Sequence, residues 1–182
     1  MGSKIFLPTR LRWLLWLAVL AVLGGGFYAY YRHLFPYGRS HHCSKQLSTA
    51  LKMYADDHEG RYPAGESSPE ASLSLLYPKY TPSAAIFSGK ALPESPTVQR
   101  LESGQRLTPE TCGWHYVEGL REDSDSRLML LWDKVGGLGH NGQRMGGGRE
   151  VVFVDHSAKH VNEAEWQALL AQQEKLRASQ AK

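Results

Sequence analysis

Between Trp13 and Tyr31 the chain runs WLLWLAVLAVLGGGFYAYY, nineteen residues without a charged side chain. At 1.5 Å of rise per residue, a helix over this stretch is roughly 28 Å long, which is about the thickness of a bilayer's hydrocarbon. A soluble helix of that length needs a polar face, and this one has none. Residues 13–31 are therefore expected to form a transmembrane helix. Lys4, Arg10 and Arg12 precede the stretch, and Arg32, Arg39 and Lys45 follow it. Basic residues are nearly balanced across it, so orientation rests on the short basic tail before the first apolar segment, as in an uncleaved signal-anchor. That places residues 1–12 in the cytoplasm. The protein is then a single-pass protein of the inner (cytoplasmic) membrane, with its C-terminal domain in the periplasm or outside. Trp13 and Trp16 at one end, and Phe27, Tyr28, Tyr30 and Tyr31 at the other, suit the two interfacial belts. The rival arrangement is a cleaved signal peptide with an apolar core of Leu14 to Leu23 and cleavage among Gly24, Gly25 and Gly26. The aromatic cluster behind those glycines favours the anchor.

Beyond the anchor the chain holds about one domain, residues 40–171, with 172–182 expected to fray. The net charge of +3 is mild and the basic residues form no run, so the positive field that holds phosphates is missing and nucleic acid is excluded as a partner. No small-molecule substrate is evident, and the lipid bilayer is the first partner the sequence names. The two cysteines, Cys43 and Cys112, are too far apart for a zinc pattern. On the exported side they are candidates for one disulfide, the alternative being two separately buried thiols.

Pro36, Tyr37 and Gly38 break the first helix, and Ser40 can cap a second. In HHCSKQLSTALKMYADDHEGRYP, Cys43, Leu47, Ala50, Leu51 and Tyr54 make the stripe of a helix with one face buried, while Lys45, Lys52, Asp56 and Asp57 take the other face. Gly60 ends this helix and Pro63 keeps it from resuming. Residues 61–111 are rich in Pro, Ser and Gly and read as a long loop, with one helical turn near Leu73 to Tyr77. Trp114 to Leu120 and Arg127 to Trp132 are β-rich runs. Residues 136–148, GGLGHNGQRMGGG, make a flexible inter-strand loop rather than a phosphate cradle, because no Gly-Lys-Ser/Thr and no helix follows. Val151 to Val154 is a short strand turned at Asp155 to Ser157 into Ala158 to Val161. The last helix has an N-cap at Asn162, a capping box completed by Glu165, and a staple from Val161 to Trp166. Its apolar face is Trp166, Leu169 and Leu170. The fold class expected is α+β: a membrane helix, an amphipathic helix on a small antiparallel sheet, and a short C-terminal helix.

The segment CSKQLSTALKMYADDHEGRYP resembles the post-membrane helix of pilin-like proteins, the pseudopilins of type II secretion. The later part, YVEGL…LMLLWDK…GH…GGREVVFVDHSAKHV, is similar to the C-terminal half of a planctomycete pseudopilin-like group in which a His and then nine residues precede an Asp-Gly turn. Here His140 takes the place of the His and Asp155 that of the Asp, with fourteen residues between them, and His156 stands where the turn Gly would be. The matching stretches span roughly residues 40–63 and 112–171. Pseudopilins also carry a Gly-Phe-x-x-x-x-Glu-like processing site before the apolar helix. This chain's Gly26-Phe27 pair lies at the far end of that segment, and the fifth residue from Phe27 is Tyr31, so the leader-peptidase site is absent. The resemblance implies a pilin-like fold and a place in the cell envelope, and it delivers no activity. The expected function is a membrane-anchored module that docks to other envelope or secretion proteins, or to its own copies.

Other chemistry is possible in outline only. His140, His156 and His160 could hold zinc for a membrane-anchored metal-dependent hydrolase if the glycine loop folded onto the hairpin, but no His-Glu-x-x-His helix supports that arrangement. Asp123, Ser124, Asp125 and Ser126 are oxygen-rich enough to suggest calcium, yet the Asp-x-Asp-x-Asp-Gly pattern is missing. A solvated turn and exposed histidines are the expectation, with no resident cofactor and no catalytic or metal-binding residue assigned.

Overall fold

The computed structural model describes residues 8–39 and 44–180. The apolar segment forms a helix, α1 (Thr9–Leu34), of 26 residues. It exceeds the expected 13–31 at both ends because Pro8 sits at its start, where proline costs no hydrogen bond, and nothing breaks the backbone until Pro36. Its last turn closes with the Phe35 amide donating to the Tyr31 carbonyl at 2.8 Å, and Gly38 turns the chain away at φ +86. Its side chains are not buried against the rest of the protein, and its most apolar window has a mean hydropathy of 1.7. This helix is long and apolar enough to cross a membrane.

The second helix, α2 (Ser44–Asp57), buries Leu47, Ala50 and Leu51 as its periodicity predicts, and Ala55 and two serines with them. The Gly60 amide, at φ +77, reaches back to the Ala55 carbonyl at 2.8 Å, a left-handed C-terminal closure that glycine adopts without strain. Cys43 and Ser40, assigned to this face and its cap, lie outside the described residues.

Residues 61–111 have the helical turn expected near Leu73 and more order around it than a long loop. They hold α3 (Pro69–Leu73), capped by the Ser68 hydroxyl accepting from the Ala71 amide, two 3-10 turns (Ser74–Leu76 and Ala84–Ser88), and α4 (Glu94–Glu102). Leu73, Leu76, Ile86, Phe87, Leu101 and Leu107 from this segment are all part of the main core. Each turn contributes one or two apolar side chains between proline and serine breaks, so the buried residues never accumulate into a readable period.

The sheet is an antiparallel meander in the order β1-β2-β3-β4: β1 (Trp114–Tyr116), β2 (Met129–Asp133), β3 (Arg149–Phe153) and β4 (Ala158–Val161). Its two faces carry separate apolar clusters. Leu131, Val152, Trp114 and Tyr116 join α2 and the 61–111 segment on one side. Met129, Val151, Phe153 and Val161 meet Trp166 and Leu169 of the last helix, α5 (Glu163–Gln180), on the other. The architecture is α+β, with an open four-stranded antiparallel sheet between two helical layers.

The start of α5 matches its sequence punctuation. The Glu165 amide donates to Asn162 Oδ1 at 2.9 Å, and the Asn162 amide reaches Glu165 Oε2 at 3.4 Å. Its end does not match: the helix continues to Gln180 instead of fraying after Gln172. Gln173 takes the next position of the inward stripe and is 2% exposed. Its Oε1 accepts from the Met129 amide at 2.8 Å and its Nε2 donates to the Arg127 carbonyl at 2.9 Å, beside the irregularity in β2. Leu176 then packs on the main core. A stripe that passes through a glutamine reads as ended, but the amide satisfies strand groups that would otherwise be orphaned.

Candidate functional site

Three polar constellations stand out from this frame. The first is buried where the 61–111 segment crosses the end of the sheet. The Gly113 amide donates to the Phe87 carbonyl at 2.8 Å, and the Trp114 indole donates to the Ile86 carbonyl at 2.8 Å. Gly89 turns here at φ +63 with its Cα against Gly113, and a side chain on Gly113 would fall on the Ser88 carbonyl. That close approach delivers Lys90, 4% exposed, between two carboxylates. Its Nζ lies 2.8 Å from Asp133 Oδ2 and 2.7 Å from Glu150 Oε2, and the Glu150 amide donates to Asp133 Oδ2 at 3.0 Å. Burial pushes the Asp133 carboxyl above the usual carboxylate range, and Lys90 opposes that push. The cluster joins the segment to two strands, and a buried lysine so paired acts as a structural tie. Nothing in the expected site residues anticipates it. Its sequence trace is a lone Lys in AAIFSGKAL and a lone Asp closing the apolar run LMLLWD.

The second constellation centres on His156, at φ +62 in the turn between β3 and β4. Tyr62 OH donates to the Val154 carbonyl at 3.1 Å, so its oxygen is free to accept from His156 Nε2, also at 3.1 Å. Nδ1 is then the acceptor facing Ser48 Oγ at 3.2 Å, while Ser48 also lies 3.4 Å from the His156 carbonyl. Glu122 Oε1 is 3.9 Å from Nε2 and 3.2 Å from Lys52 Nζ. The Glu122 amide donates to the Gly60 carbonyl at 2.9 Å, which holds it beside the end of α2. An open surface depression of about 430 Å³, lined by Ser48, Lys52, Met53 and His156 among others, flanks the group. Ser48 is buried in mid-helix, and its contacts with His156 tie the β3–β4 turn to α2.

That tie should make stability depend on pH. Burial lowers the His156 pKa, opposed by Glu122 and assisted by Lys52. The folded chain therefore declines a proton that an unfolded imidazole binds near pH ~6.5. The stability it contributes is complete above about pH 6.5 and is lost as pH falls below that value. His156→Asn, which keeps a residue tolerant of positive φ, is expected to lose less stability than the parent chain between neutral and mildly acidic pH. Urea midpoints of the full chain in detergent at the two pH values check this, and parallel pH profiles would refute it.

The third constellation is the junction of α1 with the domain. The Arg144 amide donates to the Leu34 carbonyl at 2.6 Å and its Nε donates to the His33 carbonyl at 3.1 Å. These bonds satisfy two orphan carbonyls at the C-terminal end of α1. The loop that supplies Arg144 is ordered by its own bonds: Leu138 bridges Arg144, and the Gly139 amide donates to the Gln143 carbonyl at 2.8 Å. The flexible loop expected at 136–148 is thus a small glycine-built hairpin docked on the helix end.

The structure does not bring His140, His156 and His160 to one point. His140 is exposed, His156 is engaged as above, and His160 Nε2 lies 3.3 Å from the Gly147 carbonyl. Asp123 and Asp125 pair with Arg121 and Arg127, and Ser124 Oγ accepts from the Arg121 amide. Among the described residues no three His, Cys, Asp or Glu side chains are grouped to hold a metal. Cys112 is a free, fully buried thiol whose Sγ lies 3.6 Å from the Trp114 carbonyl, and burial pushes its pKa up to about 12. Its expected partner, Cys43, lies outside the described residues. No protein-family model, curated protein or solved structure matches this chain.

Proposed function

We propose that this chain is a non-enzymatic envelope protein: a pseudopilin-like α+β module anchored in the inner membrane by α1. Its domain lies on the periplasmic or outer side and docks there to envelope or secretion proteins or to further copies of itself. The observation that carries the reading is α1 itself, a 26-residue apolar helix unburied by its own domain yet joined to it by the Arg144 bonds. A helix with no polar face, left unburied by the described residues of its own chain, needs an apolar environment, and the bilayer supplies one. The buried polar groups fit the same reading, because Lys90, Asp133, Glu150 and His156 are engaged in holding elements together.

The test is to express the full chain with a C-terminal tag, fractionate membranes under alkaline carbonate, and treat spheroplasts with protease. The expected result is a carbonate-resistant product of full mass whose tag is digested from outside. A product beginning near Gly26 or Phe27 would overturn the anchor, and a tag protected with the cytosol would overturn the export.

A further inference from the structure

We propose that the hairpin of residues 135–148 and the exit of α1 form one cationic surface that seats on anionic lipid headgroups. This rests on the reading of α1 as a membrane span. If α1 spans, its last turn lies at the level of the headgroups, and the two bonds from Arg144 to Leu34 and His33 fix the hairpin at that same depth. Neither Thr9–Arg39 nor residues 135–148 contain a single Asp or Glu. The charges gathered at the junction are Arg32, Arg39 and Arg144, and none of the three pairs with a carboxylate among the described residues. Arg39 lies over the Phe35 ring at 5.0 Å, which holds it at the helix exit.

Elsewhere in the domain Lys52, Arg61, Lys79, Lys90, Arg106, Arg121, Arg127 and Lys134 have acidic partners, while Arg100 and Arg149 bond backbone carbonyls instead. Three arginines without a carboxylate partner, set where α1 leaves the membrane, complement phosphate-bearing headgroups. Two side chains suited to the interface stand with them, Tyr37 at 58% exposure and Met145 at 47%. Gly137, Gly142, Gly147 and Gly148 all take positive φ; the Gly137 amide donates to the Gly148 carbonyl (2.7 Å) and that of Met145 to the Gly137 carbonyl (2.8 Å), while the Gly148 amide donates to Glu163 Oε2 at 3.3 Å, on the side of the hairpin that meets α5.

Hydrogen exchange on the full chain, reconstituted at one copy per nanodisc, tests the surface. The discs contain either phosphatidylcholine alone or about a third phosphatidylglycerol. The Gly137, Gly139, Gly142 and Met145 amides are expected to exchange about fivefold more slowly in the anionic discs. High salt, or the double variant Arg32→Gln and Arg39→Gln, should erase the difference while leaving exchange in the sheet unchanged. Equal exchange of these amides in the two lipids, with the chain still in the disc, would overturn the proposal and leave the anchor standing. Slow exchange that appears only when several copies share a disc, whatever the lipid, would overturn it in favour of a contact between copies. A chain that does not enter the discs at all would overturn the anchor reading itself.

Discussion

Lys90→Met is expected to destabilise the domain by about 3–5 kcal/mol, because it removes the one cation from a buried pair of carboxylates. Lys90 Nζ lies 2.8 Å from Asp133 and 2.7 Å from Glu150, and all three side chains are largely out of water. Methionine keeps the length of the stem, so the loss measures charge rather than volume. The variant's deficit should shrink toward acid pH. Burial already raises the Asp133 pKa, and without Lys90 the folded state would hold protons that the unfolded chain releases, so stability falls as pH rises above about 4. Adding Asp133→Asn and Glu150→Gln should recover much of the loss, since a neutral hydrogen-bonding cluster of the same shape leaves no charge stranded. Urea unfolding of the full chain in detergent, followed by alkylation of Cys112 as it emerges from the core, reads each variant. A loss below about 1 kcal/mol for Lys90→Met would show that water reaches the cluster.

That cluster marks the limit of what the sequence discloses. The membrane helix, α2, the β3–β4 hairpin and the capped start of α5 are legible because each repeats a local rule: an uncharged run, a helical stripe, an alternating pair, a capping box. Lys90 obeys no such rule. It meets Asp133 and Glu150 only because Gly89 and Gly113 let two backbones touch, which is a fact of tertiary structure. The 61–111 segment misleads for a related reason. Its buried residues come singly from short turns, and their common destination is set by the sheet they cover. Gln173 hides because a polar residue ordinarily ends an apolar stripe, and only the unpaired groups at Arg127 and Met129 explain its burial. His156 is legible as a turn residue and as one of three histidines, but Ser48 and Tyr62 approach it from 108 and 94 residues away. The oxygen-rich turn at residues 123–126 is legible as a surface turn, and its two aspartates each pair with a neighbouring arginine.

Trp166→Ala should cost about 3–5 kcal/mol, against about 1 for Asn162→Ala four residues earlier. The contrast separates what docks α5 from what merely begins it. Asn162 caps the helix at the surface, and its loss frees one amide that water can satisfy. Trp166 is 6% exposed and sits in the second apolar cluster with Met129, Val151, Phe153 and Val161. Its ring lies 6.3 Å from that of Trp132, and the Arg149 guanidinium rests over it at 5.2 Å. Truncation therefore opens a cavity against the sheet and also releases Arg149, whose other bonds run to the Asp133 and Lys134 carbonyls beside the Lys90 cluster. Gln173, two turns further on, remains to hold α5 by its bonds to β2, so the variant is expected to keep its helix while the sheet's covered face loosens. Hydrogen exchange should then accelerate more at Val151 and Phe153 than at Trp114. Equal costs for the two substitutions, with no change at Val151, would mean that α5 stands off the sheet.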